Sequence, residues 1–231
     1  MRTVAITGAS RGLGLEFVRQ YSRDGWAVVG GARRVAEAKA LQECAGAEQD
    51  GDLTLIPLDV GDKASIHAFA TQLADRPVDI LINNAGIMGP ANQDFGEVDA
   101  SGWGDAIATN VIGPLLVSRA LLPSIRRGDL KRIVVITSRV GSIANASGGR
   151  YVYRTTKAAA NMVVKNMAAD LAAEGIDVVA IHPGWVRTDM GGEQAPVTPE
   201  QSVAGIRSLI DQPEMQISGR FFDFEGNEVA W

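Results

Sequence analysis

The sequence predicts an α/β protein in which one doubly wound parallel sheet of about seven strands carries helices on both faces. Short runs rich in Val and Ile recur along the 231 residues, and amphipathic stretches of a dozen residues or more separate them. Strands that are buried on both faces read as continuous apolar runs of this kind. Because strands and helices alternate, the strands should be parallel and joined by right-handed crossovers.

The strands are predicted where the apolar runs lie. They are Thr3–Thr7, Ala27–Gly31, Thr54–Pro57, Ile80–Asn83, Ile133–Thr137, Val178–His182 and a last one near Arg220–Phe224. The spacing of Leu13, Phe17 and Tyr21 marks the first helix, and Ile66 and Phe69 belong to a later one. No internal repeat or linker interrupts this order, so residues 1–231 are predicted to form a single domain.

Composition and charge exclude several classes of protein. The net charge of −5 and the absence of any basic run argue against a nucleic-acid or anionic-membrane surface. No apolar run approaches the length of a membrane span, and the first strand leaves no room for a signal peptide. The single cysteine, Cys44, fits a reducing compartment, and two histidines without a Cys cluster argue against a metal site. We therefore expect a soluble cytoplasmic protein.

A glycine-rich turn, Thr7–Gly14, lies directly between the first strand and the first helix. Its spacing is Gly-x-x-x-Gly-x-Gly rather than the commoner Gly-x-Gly-x-x-Gly. Glycines let the backbone approach a phosphate closely, and the N-terminus of the following helix offers unpaired amides to the anion. Although such a turn is often only a turn, its position here predicts a dinucleotide site.

The end of the second strand indicates which dinucleotide is bound. An acidic residue at this place would accept hydrogen bonds from both ribose hydroxyls and select NAD, but the sequence has Gly31-Ala32-Arg33-Arg34 instead. Arg33 and Arg34, with Arg11 in the glycine turn, suit a 2′-phosphate. The alternative is that these arginines are solvated surface charges. We expect NADP(H) to be preferred, with NAD(H) as a possible second cofactor.

Tyr153 and Lys157 stand four residues apart, which puts both side chains on one face if the segment is helical. A nearby ammonium favours the phenolate and lowers the pKa of a phenol from its free value near 10. A phenol tuned toward neutrality suits general acid/base work on a hydroxyl or a carbonyl. On spacing alone, however, such a pair is more often a packed ring beside a solvated amine.

The motifs taken together resemble the short-chain dehydrogenase/reductase family over essentially the whole chain. They are Thr7-Gly8 with Gly12-Leu13-Gly14, Asn83-Asn84-Ala85-Gly86, Asn110, Ser138, Tyr153-x-x-x-Lys157 and Pro183-Gly184. The segment Tyr151–Lys157 and the ending from Gly219 to Trp231 look like the C-factor/sniffer-type branch of carbonyl reductases. The resemblance implies a Rossmann-type fold and an enzyme that transfers hydride between a nicotinamide and a carbonyl or alcohol.

The resemblance also implies four catalytic residues. Tyr153 would give its proton to the carbonyl oxygen, and Lys157 would lower the Tyr153 pKa and hold the nicotinamide ribose. Ser138 would hold the substrate oxygen, and Asn110 would support a water that relays protons from Lys157. Thr137 and Ser142 are rival hydroxyls for Ser138, and Tyr151 is a rival phenol for Tyr153.

The remaining cofactor contacts are implied by the same resemblance, at the carboxyl ends of the strands. The predicted cofactor-binding residues are Gly8, Ser10, Arg11, Gly12, Leu13, Gly14, Arg33, Asp59, Val60, Asn84, Ala85, Gly86, Tyr153, Lys157, Pro183, Gly184, Val186 and Thr188. Asp59 and Val60 would flank the adenine. The last four residues would bind the carboxamide of the nicotinamide.

The predicted substrate pocket is mostly apolar. Its expected lining residues are Met88, Val140, Ile143, Trp185 and Met190. The loop Ala144–Arg150 should rim the pocket, and Thr188–Pro199 should form a short lid. This composition favours a hydrophobic ketone, aldehyde or quinone.

Two further expectations concern partners and activity. The resemblance implies a homodimer or homotetramer that pairs through the helices around Asn110 and Tyr153. A different class of function is a redox-sensing or signalling protein of the same fold that binds nucleotide with little turnover. The complete set of four catalytic residues argues against that alternative.

Overall fold

The computed structural model describes residues 1–46, 52–97 and 99–231, and its strands form one parallel sheet. The strands are β1 Thr3–Thr7, β2 Ala27–Ala32, β3 Leu53–Pro57, β4 Ile80–Asn83, β5 Arg132–Ile136, β6 Asp177–His182 and β7 Phe221–Asp223. Their order across the sheet is β3-β2-β1-β4-β5-β6-β7. Strand order reverses between β1 and β4, so the predicted doubly wound sheet is confirmed and its ligand crevice is expected there.

Helices follow most of the strands, as the alternation predicts. They are α1 Gly12–Arg23, α2 Lys39–Gly46, α3 Lys63–Gln72, α4 Trp103–Ile107, α5 Gly113–Arg126, α6 Tyr151–Leu171 and α7 Pro199–Ile210. A π-helical turn, Ala108–Ile112, joins α4 to α5. Single π-turns inside helices occur frequently at functional sites, and this one contains Asn110.

The sheet separates two hydrophobic cores, because successive side chains of a strand point to opposite faces. Val4 and Ile6 of β1 pack on one face with residues of α1, α2 and α7. Ala5, which lies between them, packs on the other face with residues of α3, α5 and α6. Both faces are therefore covered, which explains why the strands carry no polar alternation.

Three strands begin one residue earlier than the sequence predicts, at Leu53, Arg132 and Asp177. Arg132 and Asp177 are charged and directly precede the apolar runs. In the structure they are register partners on neighbouring strands, and Arg132 Nη2 lies 2.9 Å from Asp177 Oδ2. The pairing across strands allows charged residues inside the sheet, and a local apolar pattern does not reveal it.

The continuous helical stretch Trp103–Arg126 is apolar enough to cross a membrane by length and composition, with a mean hydropathy of 1.4. The expectation that no apolar run approaches this length was therefore wrong. A core helix passes the same test, and here Val117, Leu121 and Ile125 are buried in the core beneath the sheet. Its outward apolar side chains, 39–44% exposed, are Ile107, Ile112 and Leu115.

The buried side chain of Arg132 connects the sheet to the end of α7. It is 1% exposed, and its Nη1 donates to the carbonyl oxygens of Ile210 at 2.6 Å and Gln212 at 2.9 Å. The last carbonyls of a helix have no partner within the helix. Arg132 therefore satisfies the C-terminus of α7 while it pairs with Asp177.

We expect Arg132→Met to lower the free energy of unfolding by about 3 kcal/mol, because it leaves two buried carbonyls and a carboxylate without their donor. Urea denaturation measures this loss. The matched control is Arg126→Met, which removes an exposed pair with Glu174 and should change stability much less. Equal losses of unfolding free energy in the two variants would contradict this role of Arg132.

Candidate active site

A cleft of about 860 Å³ lies at the carboxyl ends of the strands, where the switch point predicts it. Most of the predicted site residues line it together. They are Gly8, Ser10, Arg11, Gly12, Leu13, Arg33, Asp59, Val60, Asn84, Ala85, Gly86, Tyr153, Lys157, Pro183 and Thr188. Residues that lie far apart in the sequence therefore share one cavity.

The glycine turn packs tightly against the segment after β4. Gly8 has a φ of 67°, and a Cβ on it would lie 2.9 Å from the Cα of Ala85. The Thr7 hydroxyl accepts the backbone N–H groups of Asn84 and Ala85, both at 3.0 Å. The Asn84 amide donates to the carbonyl oxygen of Thr7 at 3.0 Å. That Thr7 holds the glycine turn against the segment after β4 was not predicted from the sequence. The position of Thr7 directly before Gly8 is the signal that could have suggested it.

Three predicted cofactor residues do not line this cleft. Gly14 lies behind the turn, where a Cβ would be 2.1 Å from the Gly8 carbonyl oxygen, so its role is close packing. Gly184 has a φ of 87° and packs on the ring of Phe224. Val186 is buried and forms a β-bridge with Val197.

The three arginines predicted for a 2′-phosphate all line the cleft. Arg11 pairs with Asp189 at 3.0 Å, and Arg34 pairs with Glu37 at 3.0 Å, in both cases between exposed side chains. Exposed ion pairs contribute little free energy, so a phosphate can replace these carboxylates. Within residues 1–46, 52–97 and 99–231, Arg33 is exposed and makes no salt bridge.

Tyr153 and Lys157 both lie in the first two turns of α6 and face the cleft, as their spacing predicts. Lys157 Nζ is 5.7 Å from the centroid of the Tyr153 ring. The two residues are 9% and 6% exposed. The solvated amine of the alternative interpretation is therefore absent.

Burial lowers the pKa of Lys157 from 10.5 to about 8. Its Nζ donates to the carbonyl oxygen of Ile136 at 3.0 Å, at the end of β5. No carboxylate pairs with it in the described part of the chain. A neutral carbonyl compensates an ammonium less than a carboxylate does, so the charged form stays disfavoured.

Burial raises the pKa of Tyr153 above 10.0, whereas hydrogen bonding with Ser138 and the charge of Arg150 act in the opposite direction. The sequence had predicted that Lys157 lowers this pKa toward neutrality. The net direction is the opposite, because desolvation of the phenolate outweighs the hydrogen bond with Ser138 and the charge of Arg150. Tyr153 is therefore a neutral phenol that retains a proton to donate.

The structure separates Ser138 from the rival hydroxyls. Thr137 is 2% exposed and donates to Asn161 Oδ1 at 2.8 Å, on the inner side of α6. The Ser142 hydroxyl donates a hydrogen bond to the carbonyl oxygen of Trp231 at 3.4 Å. Ser138, which begins the short turn after β5, is the hydroxyl that interacts with the Tyr153 phenol.

The rival phenol is placed elsewhere. The ring of Tyr151 packs against Phe95, with centroids 6.0 Å apart. Phe95 is 85% exposed, so this pair lies at the protein surface. Of the aromatic rings that the structure describes, the one that the Lys157 amine faces is the ring of Tyr153.

Asn110 is 2% exposed and joins three parts of the site. Its amide exchanges two hydrogen bonds with the backbone of Ile87, at 2.9 and 2.8 Å, and its Nδ2 also donates to the Thr156 hydroxyl at 3.1 Å. A Cβ on Gly86 would lie 3.3 Å from Asn110 Oδ1 and 3.5 Å from Lys157 Nζ. The absence of that side chain leaves room between the two polar groups.

Three of the apolar residues expected to line the substrate pocket are exposed. They are Ile143 at 75%, Trp185 at 57% and Met190 at 47%. Met190 lines the cleft itself, whereas Met88 lines a neighbouring cavity of about 490 Å³. The segment after β6 folds over the glycine turn, because Thr188 lies 3.3 Å from where a Gly12 Cβ would be.

These residues fit a nucleotide that carries phosphates. The glycine turn presents backbone without side chains, and the N-cap residue of α1, Arg11, makes no capping hydrogen bond. The first amides of α1 are therefore free to bind an anion. Arg33 and its neighbours add positive charge beside the turn.

The chain matches the family model for short chain dehydrogenases over residues 2–197. It is 47% identical to C-signal of Myxococcus xanthus over 167 residues, which are 72% of this chain and all of that protein.

Solved structures agree over the whole length. The NADPH-bound carbonyl reductase from chicken fatty liver is 33% identical, with a TM-score of 0.87 and coverage of 100% of this chain and 99% of that one. Carbonyl reductase Sniffer of D. melanogaster is 29% identical, with a TM-score of 0.88 and full coverage of both chains. The chain therefore belongs to the short-chain dehydrogenase/reductase family and is an NAD(P)-dependent oxidoreductase.

Proposed function

We propose that this chain is an NADPH-dependent reductase of apolar carbonyl compounds, with Tyr153 as the general acid. The observation that carries the proposal is that a buried phenol and a buried amine line one nucleotide-sized cleft, and that the Ser138 hydroxyl interacts with this phenol. These are the groups that polarise a carbonyl and protonate its oxygen.

Residues of the glycine turn and the arginines beside it would hold the nucleotide. Arg33 meets the additional phosphate of NADP, and no carboxylate ends β2 to select NAD. The carbonyl reductase from chicken fatty liver, a structural neighbour, was solved with NADPH bound. When bound, the nicotinamide supplies a hydride to the carbonyl carbon.

The protein's own groups manage the oxygen of the substrate. Ser138 donates a hydrogen bond to the oxygen as negative charge develops, and Tyr153 transfers its phenolic proton to it. Lys157 stabilises the phenolate that results, because an adjacent ammonium favours the charged form.

Proton return to Tyr153 is proposed to pass between Lys157 and Asn110. Asn110 Oδ1 has a free lone pair after it accepts the Ile87 N–H. The room above Gly86 suits a water held by Lys157 and Asn110. Such a water would connect the buried amine to the solvent.

The substrate is proposed to be a hydrophobic ketone, aldehyde or quinone. Met190 lines the cleft and is 47% exposed, and Ile143 and Trp185 expose further apolar surface. Burying such surface against a substrate is favourable. The lid segment is held by the Trp185 indole, which donates to the Gly191 carbonyl oxygen at 2.7 Å.

A homodimer or homotetramer is proposed through α4, α5 and α6. The apolar residues Ile112 and Met162 are 44% and 59% exposed on this side. Pairing of subunits through these helices would cover such exposed apolar side chains. A cytoplasmic location is proposed from the single buried cysteine, Cys44.

A second candidate is a signalling protein that binds nucleotide with little turnover. The name of the Myxococcus relative, C-signal, favours this alternative. The retained proton donor and its buried amine favour the enzyme, because binding alone needs neither. Tight NADPH binding without reduction of any carbonyl compound in a broad panel would support the signalling candidate.

We expect Tyr153→Phe to lower kcat/KM for ketone reduction by roughly 10²- to 10⁴-fold, because it removes the proton donor. Steady-state oxidation of NADPH measures the activity, and fluorescence titration checks that NADPH still binds. The matched control is Tyr151→Phe, which keeps the ring beside Phe95 and should leave activity unchanged. Retained activity in Tyr153→Phe would exclude the proposed acid.

We expect Arg33→Ala to weaken NADPH binding about 10-fold, which is the loss of about 1.4 kcal/mol from a charged hydrogen bond. NADH affinity should stay the same, since NADH lacks the additional phosphate. Arg23→Ala, an exposed change at the end of α1, serves as the control. A loss shared equally by NADPH and NADH would argue against a phosphate contact.

Lys157 should make the nucleotide-free protein more stable as the pH rises from about 8 toward 10, because its pKa in the folded state is about 8 and its ordinary value is 10.5. In this window the unfolded chain binds one more proton than the folded chain, so the free energy of unfolding increases with pH. Below pH 8 both states are protonated and the burial penalty is fully present.

Urea denaturation between pH 7.5 and 9.5 measures this slope. Lys157→Met should remove the Lys157 contribution, and Lys63→Met, an exposed control in α3, should keep it. An identical slope in the wild type and Lys157→Met would show that the amine does not titrate in this window.

A further inference from the structure

Helix α6 begins without a cap from its own sequence. Arg150 precedes it in the left-handed conformation, with φ 48° and ψ 45°, and makes no capping side-chain hydrogen bond. The first amides of a helix have no partner within the helix, and buried amides need an acceptor. The turn that carries Tyr153 therefore depends on acceptors from elsewhere in the chain.

Gln93 supplies two of these acceptors, although it precedes Tyr153 by 60 residues. Its side-chain oxygen Oε1 accepts the backbone N–H of Tyr153 at 2.8 Å. Its backbone oxygen accepts the N–H of Tyr151 at 3.0 Å. Gln93 is 6% exposed, so water does not compete freely for these bonds.

The other end of the Gln93 amide holds the loop that follows β4. Its Nε2 donates to the carbonyl oxygens of Met88 at 3.0 Å and Pro90 at 2.7 Å. The amide orientation is fixed, because a reversed amide would place its NH₂ against the Tyr153 N–H and its oxygen against two carbonyls. One side chain thus connects the loop to the first turn of α6.

The backbone of Tyr153 is held from both sides. Its N–H bonds to Gln93, and its carbonyl oxygen accepts the Thr156 hydroxyl at 2.9 Å. The Thr156 oxygen in turn accepts from Asn110, which bonds to Ile87 in the same loop. Gln93 and Asn110 therefore brace this turn against one loop at two points.

We propose that Gln93 is a positioning residue that fixes the Tyr153 phenol where the substrate oxygen is protonated. The inference rests on the proposed function, since placement matters only if Tyr153 donates the proton. A displacement of about 1 Å can lower a rate by about 10²-fold. Gln93→Ala is therefore expected to lower kcat by roughly 10- to 100-fold while the NADPH dissociation constant stays unchanged.

Gln93→Glu separates positioning from general stability. At alkaline pH, where even a buried carboxyl is ionised, it keeps an acceptor for the Tyr153 N–H, loses both donors to the loop, and adds a negative charge that raises the pKa of the phenol. Because ketone reduction needs the protonated phenol, the decline of activity at alkaline pH should move to higher pH in this variant. Loss of structure alone would not move the pH profile.

Hydrogen exchange of the Tyr153 amide in the nucleotide-free protein tests the contact without any activity. Exchange should be about 10-fold faster or more in Gln93→Ala, because the amide loses its acceptor. The matched control is Gln72→Ala, an exposed change at the end of α3, which should leave exchange and kcat unchanged. Urea denaturation gives the folded fraction of each variant.

Two results would overturn the inference. The first is that, in Gln93→Ala, kcat per folded molecule and the exchange rate of the Tyr153 amide both stay within about two-fold of the wild-type values. If that variant does not fold, an unshifted pH profile in Gln93→Glu is the decisive contrary result. Activity that survives Tyr153→Phe would instead overturn the proposed function.

Discussion

The buried amino group of Lys157 is the constraint on which the rest of the candidate site depends. A desolvated ammonium is unfavourable unless polar groups surround it, and here Ile136 supplies a single carbonyl at the end of β5. The lowered pKa of Lys157, about 8, shows that this carbonyl offsets the desolvation of the ammonium only in part. Groups that enter the cleft and hydrogen-bond with the amine would raise this pKa. The proposed site therefore favours a polar ligand beside Tyr153.

The elements around this amine come from different parts of the sheet, and polar contacts hold them in register. The glycine turn after β1 is fastened to the Asn84 segment after β4. The Ser138 turn after β5 packs on α6, where a Gly141 Cβ would lie 2.7 Å from the Lys157 backbone carbon. Asn161 donates to the Gly141 carbonyl oxygen at 3.2 Å and strengthens that contact. Each loop is therefore placed by polar side chains that hydrogen-bond to the backbone of a neighbouring segment.

The sequence predicted features whose signal is local. Alternating apolar runs gave the doubly wound sheet, the strand–turn–helix position of Gly8 gave the nucleotide site, and a spacing of four placed Tyr153 beside Lys157. Local patterns could not reveal contacts between distant segments, such as those of Gln93. They also gave the wrong direction for the Tyr153 pKa, because that direction depends on how deeply the folded chain buries the phenol.

The most direct test of the central claim follows the hydrogen atom itself. The protein is incubated with a hydrophobic ketone and NADPH that carries deuterium at both C4 positions, and the alcohol is examined by mass spectrometry and NMR. We expect one deuterium on the carbinol carbon and a solvent-derived proton on the oxygen. An alcohol without deuterium on that carbon, or no alcohol from a panel of apolar carbonyl compounds, would contradict hydride transfer at this site.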